Sequence, residues 1–190
     1  MEQGRFAESL AESQWALKID PFSLVMNVHL GEHYLISRQY DQAIEQCQKV
    51  LDMDANFALA HYWLGESYER KRMYDKAIPA LRNAITLAGA SSTMMEAGLA
   101  HTYAISGNRR EALKILGQLT EQSKKRYVSA VDVAVILVGL GETNEAFGWL
   151  ARAYEERATY ILALKTDPRF DGIRSDPRSQ DLLRRLGLLP

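Results

Sequence analysis

The chain is poor in several residue classes, and each shortage excludes some kinds of bond, site or partner. It has a single cysteine, Cys47, so it forms no internal disulfide, fits a reducing compartment such as the cytoplasm and has no cysteine cluster for a metal. Its 23 basic residues nearly balance its 24 acidic residues, so no net positive charge favours phosphate backbones. Near the C-terminus, arginines alternate with aspartates, which predicts local ion pairs. We therefore expect no direct contact with nucleic acid.

Long apolar runs are also missing. The longest, residues 130–140, contains Asp132 and is too short to cross a bilayer. The first residues lead directly into an amphipathic stretch, so we expect neither a signal peptide nor a membrane segment. With 47% apolar and 25% charged residues, the composition is that of an ordinary folded chain.

What the sequence does contain is an internal repeat. Residues 30–44 read LGEHYLISRQYDQAI and residues 64–78 read LGESYERKRMYDKAI, with nine identities in fifteen positions. The same frame continues after residue 99 and after residue 141, and it is weaker before residue 22. A period of this length indicates stacked units, because one such unit cannot bury its apolar face alone.

Each unit carries the apolar spacing of helices. Tyr40, Ile44, Cys47 and Leu51 follow the 3.6-residue period, and an equivalent series begins one repeat later. Small residues fall at regular places in the frame, where two helices must approach closely. The pattern therefore predicts two helices per unit. It also predicts a helix over residues 130–140, although β-branched residues there favour a strand.

These motifs resemble the tetratricopeptide repeat family, whose units are helix-turn-helix pairs of about 34 residues. The resemblance covers about residues 4–156 and implies an all-α, right-handed superhelical solenoid with a C-terminal capping helix. It divides the single solenoid of residues 1–190 into a half repeat (1–21), four repeats (22–56, 57–91, 92–125 and 126–158) and a cap (159–190).

Two departures from the family pattern stand in the middle repeats. The position that the family fills with tryptophan holds Asn27 and His61. The glycine that closes the first helix is replaced by Arg38 and Arg72. If these arginines adopt the left-handed conformation, each costs roughly 1 kcal/mol.

The two ends of the chain predict a piece of a larger protein. The chain begins with what corresponds to the second helix of a repeat. Residues 141–190 also resemble the C-terminal ends of bacterial multidomain signalling regulators. In those proteins tetratricopeptide arrays follow a winged-helix, nucleotide cyclase or protein kinase domain. A regulatory or sensory domain is therefore one alternative for the function.

The family resemblance implies a protein-protein interaction scaffold without catalytic activity or cofactor. In the family, the first helix of each repeat lines a concave groove that binds a peptide or a partner protein. The matching positions here are Val25, Val28, Glu32, Leu59, Tyr62, Glu66, Glu69, Met94, Ala97, His101, Val128 and Val131. This groove is predicted to be apolar with an acidic spot, which favours an amphipathic segment with a basic flank. Alternatively, the surface packs against another domain of the parent protein or the terminal helix, or the chain forms a homodimer.

One enzymatic hypothesis competes with the scaffold. His29, Glu32 and His33 have the H-x-x-E-H spacing of an inverted zinc-protease helix. A zinc hydrolase would also need a third ligand, which the sequence does not supply in an evident place. The neighbours Leu30, Gly31 and Tyr34 recur in the next repeat. Packing therefore explains this segment better than metal binding, and no metal is predicted.

Overall fold

The chain is helical throughout the part that the structure describes. The structure is a computed structural model that describes residues 6–89 and 92–189. Within these ranges it contains ten α-helices, two 3₁₀ helices and no β-strand. The predicted start of the half repeat at residues 1–5, residues 90 and 91 and Pro190 lie outside the described residues. The predicted all-α class is confirmed, and α8 (Ala130–Leu140) is a helix despite its β-branched composition.

Two compact units divide the chain, one ending at Met95 and the other beginning at Glu96. The first contains α1 (Phe6–Ile19), α2 (Leu24–Ile36), α3 (Tyr40–Met53), α4 (Ala58–Arg70), α5 (Tyr74–Ala88) and the start of α6 (Thr93–Ile105). The second contains the rest of α6, α7 (Arg109–Ser123), α8, α9 (Thr143–Glu155), two 3₁₀ helices (Thr159–Lys165 and Pro168–Phe170) and α10 (Pro177–Arg185). None of the described helices has the length and apolar character that a bilayer crossing requires.

Close helix contacts explain the small residues of the first unit. There α2 packs against α3, α4 packs against α5, and both α2 and α3 contact α4. A Cβ atom on Gly31 would lie 2.9 Å from Cys47 Sγ, and one on Gly65 would lie 2.6 Å from Leu81 Cγ. These two contacts occupy equivalent positions in successive repeats, so each glycine lets its helix pair approach closely.

The repeat also extends to polar contacts between successive helices. Gln14 Nε2 donates a hydrogen bond to Tyr34 Oη at 3.4 Å, and Gln48 Nε2 donates one to Tyr68 Oη at 3.3 Å. The two donors are one repeat apart, and so are the two acceptors. The helix α1 is therefore related to α2 as α3 is related to α4.

The polar residues at the family's tryptophan position hold the turn that precedes each first helix. Asn27 Nδ2 donates hydrogen bonds of 2.9 Å to the carbonyl oxygens of Pro21 and Ser23. His61 Nε2 lies 2.9 Å from the carbonyl oxygen of Ala55. Pro21 and Ala55 occupy equivalent positions in the repeat. The two departures from the family pattern thus serve the same structural purpose.

First helices end in one kind of turn in all four helix pairs. The turn residue has a positive φ at Arg38 (63°), Arg72 (59°), Gly107 (89°) and Gly141 (78°). The next amide in each turn donates to the carbonyl oxygen five residues earlier, as in a Schellman motif. Both arginines therefore adopt the left-handed conformation, whose expected cost is roughly 1 kcal/mol at each position.

Arg72→Gly is expected to stabilise the chain by about 0.5–1 kcal/mol. Relief of the left-handed strain favours glycine by about 1–2 kcal/mol, and the greater freedom of the unfolded glycine offsets part of that gain. The shift in the urea midpoint measures the net effect. The reverse control is Gly107→Ala, which introduces the same strain at φ 89° and should lower the midpoint. A urea midpoint of Arg72→Gly below that of the wild-type chain would contradict the claim that Arg72 is strained.

The C-terminal cap forms part of the core of the second unit. Its buried side chains share one cluster with residues of α8 and α9. The members of this cluster are Ala130, Val131, Ala134, Val135, Phe147, Leu150, Ala153, Ala158, Ile161, Leu164, Phe170, Ile173, Leu182 and Leu183. Segment 159–189 is therefore an integral part of the unit.

Local ion pairs and a helix cap order the cap segment, as the alternating charges predict. The Asp176 carboxylate accepts the N–H of Arg178 at 2.9 Å at the start of α10, where Pro177 is the first helical residue. The Arg178 guanidinium, which is 2.8 Å from that carboxylate, lowers the pKa of Asp176 by hydrogen bonding. The same guanidinium lies 3.9 Å from the Phe147 ring centroid and so links α10 to α9.

Candidate functional site

The predicted groove residues lie on the first helices of the helix pairs, or just before one in the case of Val128, and divide between the two units. In the first unit they are Val25, Val28 and Glu32 on α2, Leu59, Tyr62, Glu66 and Glu69 on α4, and Met94 at the start of α6. In the second unit they are Ala97 and His101 on α6, Val128 before α8 and Val131 on α8.

Most of these side chains are interior residues. Eight of them are at most 4% exposed, namely Val28, Tyr62, Glu66, Glu69, Ala97, His101, Val128 and Val131. Val25 is 49% exposed, and Glu32, Leu59 and Met94 are partly buried. Because a ligand needs accessible surface, only these four residues offer direct contact, and all four belong to the first unit. A role of the eight buried residues in ligand binding stays a prediction.

In the second unit, the chain itself covers part of the predicted groove face. Val131 and Val135 on α8 share a core cluster with Phe170 and Ile173 of the cap. The short 3₁₀ helix Pro168–Phe170 contacts α8 directly. This arrangement corresponds to the alternative in which the predicted surface packs against the terminal segment.

The acidic spot is smaller at the surface than the sequence predicts. Glu66 and Glu69 are 2% and 1% exposed. Glu69 forms an ion pair with Arg70, whose side chain is only 15% exposed. Sequence reasoning missed Arg70, although its i, i+4 spacing from Glu66 is one at which helical charges neutralise each other. Glu32 is thus the partly accessible carboxylate of the predicted set.

Glu32 is engaged by a neighbouring imidazole. His29 Nδ1 lies 3.0 Å from Glu32 Oε2, with side-chain exposures of 49% and 20%. The hydrogen bond to Glu32 raises the pKa of His29, and partial burial opposes that rise. A basic group of a ligand would therefore compete with His29 for this carboxylate, most strongly when His29 is protonated.

His33 faces a different helix from the His29–Glu32 pair. Its Nδ1 atom lies 2.8 Å from Ser13 Oγ on α1, and burial lowers its pKa. Among residues 6–89 and 92–189, no three His, Cys, Asp or Glu side chains are placed to hold a metal ion. The structure therefore gives His33 a packing contact with α1, and the zinc hypothesis gains no ligand set from the described residues.

The single thiol has the environment of a packing residue. Cys47 is fully buried, and burial raises its pKa to about 12. Its Sγ atom fills the space beside Gly31. A thiol that stays protonated is a poor nucleophile. Its position indicates a contribution to the α2–α3 contact.

Comparison with known proteins identifies related folds. A tetratricopeptide repeat family model matches residues 28–92. The crystal structure of MamA is 23% identical over 82% of this chain and 91% of that chain, with a TM-score of 0.55. The structure of YrrB, a TPR protein with an unusual peptide-binding site, is 16% identical over 93% of this chain and 91% of that chain, with a TM-score of 0.52. No curated protein sequence matches this chain.

Proposed function

We propose that this chain is a protein-protein interaction scaffold that binds a peptide or a segment of a partner protein, because a tetratricopeptide repeat family model matches residues 28–92 and a solved tetratricopeptide repeat protein shares its fold. Its binding residues are Val25, Glu32, Leu59 and Met94 in the first unit. The proposal includes no catalytic step and no cofactor. The partner is a separate protein or another domain of the parent protein.

The observation that carries the proposal is the surface that remains accessible on the first helices. Three of its four residues are apolar, and the fourth is a carboxylate that is partly exposed. Such a surface fits an amphipathic segment with apolar anchors and one basic residue directed at Glu32. The peptide-binding site of YrrB supports this proposal at the level of the shared fold.

A regulatory or sensory domain of a bacterial transcription regulator, cyclase or kinase is the second candidate. It rests on the resemblance of residues 141–190 to the C-terminal ends of such regulators. The reading frame upstream of Met1 distinguishes the two candidates, since an output domain encoded there would favour regulation.

A displayed peptide library selected on the immobilised chain tests the scaffold. We expect selected peptides to combine apolar anchors with a basic residue. By fluorescence anisotropy, Leu59→Ala and Glu32→Gln should each weaken the selected peptide by about tenfold, or about 1.4 kcal/mol. Leu113→Ala is the control, because Leu113 is 45% exposed on α7 in the other unit. Unchanged affinity for Leu59→Ala and Glu32→Gln, in proteins with normal circular dichroism, would overturn this assignment.

A further inference from the structure

Three apolar side chains around the turn between α1 and α2 are accessible to solvent. Ile19 is 66% exposed, Val25 is 49% exposed and Met26 is 42% exposed. We call these three residues the open stacking face. Aliphatic side chains grouped on one surface are uncommon in a folded chain unless another surface covers them.

The equivalent residues of the next repeat show how such a face is covered. They are Met53, Leu59 and Ala60, which pack in one apolar cluster with Leu24 and Val28 of α2; Met53 and Leu59 are partly covered there and keep some accessible surface. Ala60 is fully buried there, whereas its equivalent Met26 is not. The helix α2 thus covers the face of α3 and α4 with two aliphatic side chains at an i, i+4 spacing.

Two other exposed aromatic residues nearby do not belong to this face. Trp15 is 64% exposed and Phe22 is 80% exposed. Their equivalents in the next repeat, Lys49 and Asn56, are exposed as well. In the next repeat, therefore, no helix covers the positions equivalent to Trp15 and Phe22. Only the positions equivalent to Ile19, Val25 and Met26 are covered there among these five exposed residues.

We propose that the open stacking face binds an amphipathic α-helix with aliphatic side chains at positions i and i+4, in the way that α2 covers α3 and α4. The basis is continuity with an interface already formed in the chain. The pairs Gln14–Tyr34 and Gln48–Tyr68 show that α1 and α2 are arranged like α3 and α4. A helix with the spacing of Leu24 and Val28 therefore meets a surface of the same construction.

The size of the face favours a single helix over a second copy of the chain. Its three residues expose roughly 300 Å² of surface, which is the size of the largest apolar patch on a typical folded monomer, and such patches are often functional. Two copies meeting through this face would bury roughly 600 Å² from these residues and would need further contacts to reach the roughly 1,200 Å² of a stable dimer, whereas a buried area of this size suits the weak, transient binding of one helix. One amphipathic helix can cover the patch completely.

The rim of the face adds a polar requirement. In the next repeat, Trp63 packs against the covering cluster. Its equivalent here is His29, which is paired with Glu32 at 3.0 Å. The bound helix therefore carries a polar side chain at this edge. This inference is independent of the proposed groove apart from Val25, which belongs to both surfaces.

A labelled synthetic peptide of residues 22–38, which contains Leu24 and Val28, is the probe. Titrated with the full chain, it should show a saturable rise in anisotropy with a micromolar Kd. Ile19→Glu and Met26→Glu in the protein should each weaken binding at least about tenfold. The same peptide with Leu24 and Val28 replaced by serine should not bind. Leu113→Glu in α7 should leave binding unchanged, since Leu113 is 45% exposed, close to the 42% of Met26, but lies in the other unit.

Three results would overturn the inference. The first is that the peptide does not bind the wild-type chain up to about 100 µM. The second is that the Ile19→Glu and Met26→Glu variants bind the peptide as tightly as the wild-type chain does. The third is that the wild-type chain sediments as a dimer and that Met26→Glu abolishes this dimer. The last result would make a second copy the occupant. Unchanged thermal melting of both variants shows that they remain folded. Met94 belongs to the proposed groove and not to this face or its rim, so Met94→Ala should weaken the library-selected peptide and leave this probe unaffected; failure of the proposed groove and failure of this inference are therefore distinguishable.

Discussion

Gly65→Ala is expected to destabilise the first unit by about 2 kcal/mol, although alanine is the better helix former by about 1 kcal/mol. The added Cβ would lie 2.6 Å from Leu81 Cγ and 3.2 Å from the carbonyl oxygen of Ala77. Leu81 is fully buried and is met at its branching Cγ atom, and the carbonyl belongs to the α5 backbone, so neither can give way easily. The helices must therefore separate, and the cost of overpacking exceeds the gain in helix propensity.

Gly148→Ala is the matched control for this effect. Gly148 is exposed inside α9, and a Cβ there would meet no atom within 4 Å. The same substitution should thus stabilise the second unit by about 0.5–1 kcal/mol. Urea unfolding followed by the fluorescence of Trp63 for the first unit and Trp149 for the second measures both, with the other tryptophans replaced by phenylalanine. Equal or greater stability of Gly65→Ala would disprove the close approach of α4 and α5.

Much of the fold follows from the repeat frame. The frame predicts a helix at residues 130–140 against local propensity, because a helix pair must bury its apolar face on its neighbours. It also aligns Arg38 and Arg72 with Gly107 and Gly141, which end the equivalent helices, and so marks the two positions at which the structure has left-handed arginines. Both features concern positions that recur in several repeats, so the conformation in one repeat can be inferred from the equivalent positions of the others.

The accessible surface was harder to predict, because it depends on segments outside the frame. The frame places Val131 on the groove side of α8, but Phe170 and Ile173 cover it from a cap that has no equivalent in the repeats. Arg157 shows the same limit. It follows α9 with a φ of 53°, whereas α5 ends beside a positive φ at Gly89 and α3 ends at Asp54 with a φ of −146°, so these second helices give no consistent pattern that predicts Arg157. Burial of Glu69 against Arg70 likewise depends on side-chain packing that periodicity does not specify.

Phe170→Ala is expected to destabilise the second unit by about 3–5 kcal/mol. Phe170 is fully buried in a short 3₁₀ helix, which has too few backbone hydrogen bonds to be stable by itself. Its ring belongs to the cluster that contains Val131, Leu150 and Leu183. Truncation removes the apolar contact and leaves a cavity where the cap meets α8. Urea unfolding followed by Trp149 fluorescence measures the loss, because Trp149 packs against the same cluster.

The control for Phe170 is Leu113→Ala on α7, which is 45% exposed in the same unit and should change stability by less than about 0.5 kcal/mol. The free energy of unfolding of Phe170→Leu should lie between those of the two variants, since leucine refills part of the cavity.

Hydrogen exchange shows whether Phe170→Ala loosens only the cap or the whole core of the second unit. If the cap only rests on the unit, Phe170→Ala will speed exchange in residues 159–189 and leave α8 protected. If the cap completes the core, as its buried cluster indicates, α8 and the cap will lose protection together.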